Sequence, residues 1–114
     1  MEMSKLENQT NLAVKKYLSL REPQAEEQGE VNDFLVYLTD RGYVFFNVTY
    51  SKDDWKSTPV RTLRSKFEKA IIEFFAENPD ARNDIPLRCD EIQFRILNKD
   101  RAIIRHVMNA VVED

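Results

Sequence analysis

Cysteine occurs once in these 114 residues, at Cys89. That rules out an internal disulfide and leaves little basis for a zinc centre built from this chain. Glycine is limited to Gly29 and Gly42, so there is no glycine-rich loop to cradle a phosphate. Two glycines and four prolines do not make a loop-rich or disordered chain. No apolar run is long enough to cross a bilayer. The opening MEMSKLENQT lacks the apolar core of a signal peptide. These absences predict a cytoplasmic protein with no membrane partner.

What is present fits one folded domain spanning residues 1–114. Hydrophobic content of 42% and aromatic content of 11% supply a core, and charged content of 32% supplies a solvated surface. The net charge of −3 weighs against non-specific DNA binding, which runs on phosphate neutralisation. The charge is uneven, however. Between residues 52 and 69 six bases (Lys52, Lys56, Arg61, Arg64, Lys66, Lys69) face three acids (Asp53, Asp54, Glu68). A solvated helix face with ordinary ion pairs is the simpler reading of that stretch, and a nucleic-acid patch the sharper one.

Hydrophobic spacing predicts a helix over 4–20, with Leu6, Ala13, Tyr17 and Leu20 on its inner side and Ser4 and Glu7 as a capping box. Residues 21–29, REPQAEEQG, read as a polar connecting loop. Phe34–Leu38 and Tyr43–Tyr50 read as two strands around a turn at Thr39-Asp40-Arg41-Gly42. Both are apolar at nearly every position, which places them near the centre of a sheet covered on both faces. Thr58-Pro59 starts a helix running to about Glu77, with threonine as N-cap. Its stripe of Leu63, Phe67, Ala70, Ile71, Phe74 and Phe75 packs on the sheet. Arg88–Leu97 and Ala102–Val107 form a second strand pair around Asn98-Lys99-Asp100-Arg101. The order is helix, hairpin, helix, hairpin: an α+β fold with a mixed, mostly antiparallel sheet of two hairpins flanked by helices.

Several side chains carry chemistry. Asn47 and Thr49 sit two apart and share one face of a strand. His106 has a pKa range suited to a general base, but a structural or surface role is the favoured reading. Cys89 reads as a small buried hydrophobe. A nucleophilic role would need His106 beside it on the neighbouring strand. Trp55 lies in a polar loop between Lys52 and Lys56. It either stacks on a base or partner, or folds back as a lid on the core.

Four segments, in order, resemble the YraN-like family of the restriction-endonuclease-like fold. Gly29-Glu30-Val31-Asn32-Asp33 is similar to the family's G-E-I-D. Val44-Phe45-Phe46-Asn47-Val48-Thr49 is similar to its V-F-V-E-V-K strand. Leu87-Arg88-Cys89-Asp90-Glu91-Ile92 is similar to its R-F-D-V/I segment, and Ile104-Arg105-His106-Val107-Met108-Asn109-Ala110 to its closing I-x-H-x-x-N-A. The likeness covers residues 29–112 as a core, with 1–28 a helix and a variable loop. Tyr17-Leu18 matches a Tyr-Leu on the first helix. The stretch from there to Gly29 is shorter than the family's and shows no clear first strand.

The resemblance implies metal-assisted phosphodiester hydrolysis, in which an aspartate and a glutamate hold magnesium and a lysine serves the attacking water. Carried over, the aspartate falls at Asp33, or at Asn32 without a one-residue insertion. The glutamate position is Asn47, the lysine position Thr49, and a helical glutamate falls near Asn11. One carboxylate, one amide and one hydroxyl stand where two carboxylates and a lysine belong. The expectation is therefore a catalytically inactive nuclease homologue with no cofactor, its vestigial site made of Asp33, Asn47 and Thr49. It would bind nucleic acid or a protein through Lys52, Trp55, Lys56, Arg61 and Arg64. Two alternatives stand beside it. One is a magnesium-dependent DNA endonuclease whose metal ligand is Asp33, with Glu30, Asp53 or Asp54 as a replacement carboxylate. The other is an oligomer built through exposed strand edges, with no nucleic-acid role.

Overall fold

The computed structural model describes residues 2–52, 55, 58–98 and 101–111, and side chains from residue 12 onward. Helix α1 (Glu2–Arg21) leads into three antiparallel strands, β1 (Glu26–Val31), β2 (Phe34–Thr39) and β3 (Gly42–Ser51). Helix α2 (Val60–Glu77) then crosses to β4 (Leu87–Asn98), which pairs with β5 (Arg101–Val107). The five strands lie in the order β1-β2-β3-β4-β5. All neighbours are antiparallel except β3 and β4, which are parallel and joined through α2. A parallel pair needs such a long crossover, because a tight turn cannot reverse the chain twice.

The stretch expected to be a loop, residues 21–29, contains most of β1. Its sequence EEQGEV has no apolar alternation, so nothing local marks it as a strand. Pairing with β2 makes it one, around a bulge between Glu27 and Gly29. The first hairpin is therefore a three-strand meander. Asn32 and Asp33 form the two-residue turn between β1 and β2, with φ of 46° and 70°. Both values are positive, as the right-twisted hairpin turn demands, and Asn and Asp tolerate them well.

Alternation along the strands sorts side chains onto two faces. Phe34, Val36, Tyr43, Phe45 and Cys89 pack beneath Leu63, Ala70 and Phe74 of α2. Leu35, Tyr37, Val44, Phe46, Ile92 and Phe94 pack against Val14 and Leu18 of α1. The two helices thus cover opposite faces. Phe45 and Phe74 meet edge-on at 5.6 Å between ring centres, and burying each such ring is worth about 2–3 kcal/mol. The inner side of α1 differs from the expected one: Val14 and Leu18 are buried while Ala13 and Leu20 are exposed. Leu6, Ser4 and Glu7 lie outside the described side chains. Among the described residues no helix is long and apolar enough to cross a membrane.

The strand ends form a step. Pairing of β2 with β3 stops at Phe34↔Asn47, whereas β3 continues beside β4 to Ser51↔Arg95. The Asn32–Asp33 turn sits at that step. At the other end Gly42 opens β3 with φ of 117°. A Cβ there would stand 2.3 Å from the carbonyl oxygen of Pro86, the atom that accepts a 3.0 Å bond from Tyr43 N–H. Gly29 has a similar φ but open space around it. In urea unfolding, Gly42→Ala is expected to lose about 3 kcal/mol or more and Gly29→Ala about 1 kcal/mol, since only the first adds a backbone clash to backbone strain.

Candidate functional site

Asn47 and Glu91 are register partners on the parallel strands, so their side chains project together on the α2 face. Both are buried. Asn47 Nδ2 donates to Glu91 Oε2 at 3.2 Å and to Thr58 Oγ1 at 3.1 Å. Thr58 N–H donates to the same Glu91 oxygen at 3.1 Å. Gln93 Nε2, two residues along β4, donates to Glu91 Oε1 in a short contact. The Gln93 amide oxygen is buried without a partner among the described residues. An orphan acceptor of that kind costs about 1–3 kcal/mol.

The network also settles how α2 begins. The helix N-cap is Pro59, with ψ of 141° and no side-chain capping bond. The expected Thr58 cap is not made: the N-cap is the next residue, Pro59, and the Thr58 hydroxyl accepts from Asn47. Glu91 supplies the negative charge near the helix start that a capping aspartate normally would. The first turn of α2 carries no acid of its own.

The carried-over catalytic positions fall as follows. Asn47 sits in the network, and Thr49 is half-buried on the same face beside Gln93. Asp33 is exposed on the β1–β2 turn, and so is Asn32, so neither projects from a strand into a cleft. Glu30 is exposed on the edge strand β1. Asp53, Asp54, Lys56 and the Asn11 side chain lie outside the described residues. The carboxylate that does meet Asn47 is Glu91, which sequence reasoning missed. Its one signal was an acidic pair, Asp90-Glu91, inside an otherwise strand-like run. Among the described residues the carboxylate that meets Asn47 is Glu91, which accepts three N–H bonds, while Asp33 stands apart on a turn, so these residues alone do not make a carboxylate-held magnesium site. Among the described residues no three His, Cys, Asp or Glu side chains converge.

The outer rim of the site carries basic and aromatic side chains. Lys52 follows β3 and is exposed, and Arg61 is exposed on the first turn of α2. Trp55 is half-buried, with the Arg105 guanidinium 5.0 Å from its ring centre, a cation–π contact. Arg105 pairs with Gln93 across β4 and β5, which puts it on the face of Glu91 and Asn47. Sequence reasoning missed it because it lies fifty residues from Trp55. Arg64 turns inward instead. It is half-buried and lines a cavity of about 430 Å³ with Glu68, Cys89 and Asn109.

The neighbouring acid, Asp90, faces the other way. It is fully buried. Arg88 grips it with Nε at 2.8 Å and Nη2 at 3.1 Å. His106 Nε2 lies 2.8 Å from its second oxygen, and Asn109 N–H donates at 2.8 Å. His106 Nδ1 meets the Tyr17 hydroxyl of α1 at 3.1 Å. Burial pushes the Asp90 carboxyl up, but hydrogen bonds from His106, Asn109 and Arg88, with the Arg88 charge, outweigh it and hold it below its ordinary range. His106 is thus tied to Asp90 and Tyr17 on the α1 face, while Cys89 points to the α2 face. Burial first, then the Asp90 and Glu91 charges, push the Cys89 thiol up to about 12. A neutral, fully buried thiol with no base beside it is no nucleophile.

A lowered carboxyl stabilises the fold above the unfolded aspartate value, about 3.9, and loses that contribution as pH falls through the folded value. The unfolding free energy should therefore drop on acidification below about pH 4. Asp90→Ala should cost about 3–5 kcal/mol at neutral pH, because Arg88 is left without its buried partner, and should flatten that acid drop. Urea melts of both proteins across pH measure the two effects together. No protein-family model, no curated protein and no solved structure matches this chain.

Proposed function

We propose that this chain is a catalytically inactive relative of the YraN-like nucleases that binds nucleic acid without cutting it. The observation that carries the reading is the state of the inherited positions. At the glutamate position stands Asn47, whose amide is spent on Glu91 and Thr58. At the lysine position stands Thr49, which has no ammonium group. Hydrolysis needs a metal to absorb charge on the phosphate and a group to prepare water, and neither a glutamate nor a lysine stands at these two positions.

The rim supports retained binding. Arg105 stacks on Trp55, and Lys52 and Arg61 are exposed just after β3 and on the first turn of α2. Exposed cations and an indole suit a phosphate backbone whose bases stack on an aromatic surface. Arg64 faces inward and contributes less. The topology is compatible with the restriction-endonuclease-like fold that the sequence motifs suggest: a helix, a three-strand meander, and a crossover helix into a parallel strand.

Gel-shift and anisotropy titrations with single-stranded and branched DNA, in magnesium or manganese, test the reading. Binding without cleavage is expected, with log K falling against log salt at a slope of about −2 to −3 for three phosphate contacts. Arg61→Glu with Arg105→Glu should weaken binding at least tenfold. Turnover that Asp33→Ala abolishes would replace the reading with the magnesium endonuclease. Absence of any DNA or RNA shift would leave a protein-binding module.

A further inference from the structure

Helix α2 covers only part of its side of the sheet. Its buried residues pack over Phe34, Val36, Phe45 and Cys89, and among the described residues no side chain of β5 joins that cluster. Successive strand residues alternate faces, so Arg101, Ile103 and Arg105 project together on this side, where Arg105 pairs with Gln93 and Ile103 with Arg95. Arg101 and Arg105 are exposed, and Ile103 between them is 44% exposed. β5 carries no acid. On this side of β4 the described acid is Glu91, which is buried and accepts from three donors of its own. In a chain of net charge −3, the result is a cationic strip with an apolar centre.

We propose that this strip is a track for single-stranded DNA, with phosphates on Arg101 and Arg105 and an unpaired base lying on Ile103 between them. Charge complementarity selects the polyanion, since each guanidinium presents a planar fork of N–H donors that matches a phosphate. Residues two apart on a strand stand about 7 Å apart, close to one nucleotide step of an extended chain. Arg105 lies over the Trp55 ring, 5.0 Å from its centre, and a guanidinium stacked that way keeps its in-plane N–H donors for a phosphate. The next base stacks on the indole. Ile103 decides against a duplex. A double helix turns its paired bases inward and presents sugar and phosphate, which would set charged groups against an apolar side chain. An unpaired base covers that side chain with a flat face. The track rests on the nucleic-acid reading, which also implies deoxyribose. It narrows that reading from the rim at Lys52 and Arg61 to an unpaired strand running along β5.

Fluorescence anisotropy of the full chain tests the track, using a labelled oligodeoxynucleotide of about 12 nucleotides, within the usual site sizes. The same sequence is titrated as a duplex and as RNA. The single strand should bind roughly tenfold or more tighter than the duplex, and no weaker than the RNA. Arg101→Gln removes one phosphate contact. It should weaken single-strand binding about fivefold at about 0.1 M salt and reduce the slope of log K against log salt by about 0.7. Ile103→Thr keeps a strand-forming residue and should narrow the gap between single strand and duplex. If Ile103→Thr fails to fold by circular dichroism, the exposed Arg101→Gln still decides. Lys52→Glu with Arg61→Glu separates the track from the rim. Single-strand binding lost in that pair yet unmoved by Arg101→Gln would overturn the track and leave the nucleic-acid reading standing. A duplex that binds as tightly as the single strand, or RNA that binds tighter, would also overturn it. No shift with any of the three probes would overturn both.

Discussion

Three N–H donors converge on the buried carboxylate of Glu91, and the rest of the molecule is arranged around that convergence. Asn47 brings β3, Gln93 brings β4 itself, and the Thr58 backbone brings the approach to α2. The only parallel junction in the described sheet and the start of its crossover helix are thereby pinned at one point. A buried anion is costly unless its oxygens are occupied, so these donors are a structural requirement.

Adjacent acids on one strand meet opposite fates because a strand turns successive residues to opposite faces. Glu91 faces α2 and meets Asn47. Asp90 faces α1 and ties β4, β5, the chain after β5 and Tyr17 of the first helix into one hydrogen-bonded unit. The second explains the histidine, which serves as a bridge between Asp90 and Tyr17.

Much of the fold was legible in the sequence where local pattern and tertiary environment agree. The apolar runs at Phe34–Leu38 and Tyr43–Tyr50 became adjacent inner strands, and the Leu63–Phe75 stripe became the inner face of α2. Strand β1 was not legible, since a six-residue edge strand with a single apolar side chain, Val31, carries no periodicity and gains its shape from β2. The Val14–Leu18 face of α1 was misjudged, because several apolar residues in that helix point outward and compete for the same reading. The threonine cap is not made because the helix starts one residue later, with Pro59 as its N-cap. In the candidate site, Asn47 and Thr49 share the expected face, but Glu91 and Arg105 enter from distant strands whose register a single sequence does not reveal. Lys56 and the loop acids Asp53 and Asp54 fall outside the described residues.

The central claim, that the Glu91 carboxylate beside Asn47 is held by the protein's own donors, can be read at single atoms. Manganese titration followed by nuclear magnetic resonance measures it through the Asn47 side-chain amide and the Thr58 backbone N–H. The account expects both signals to keep their widths at millimolar metal, with broadening confined to exposed acids such as Asp33 and Glu30. Selective loss of the Asn47 and Thr58 signals at low metal, reversed by magnesium, would place a cation on Glu91 and contradict it.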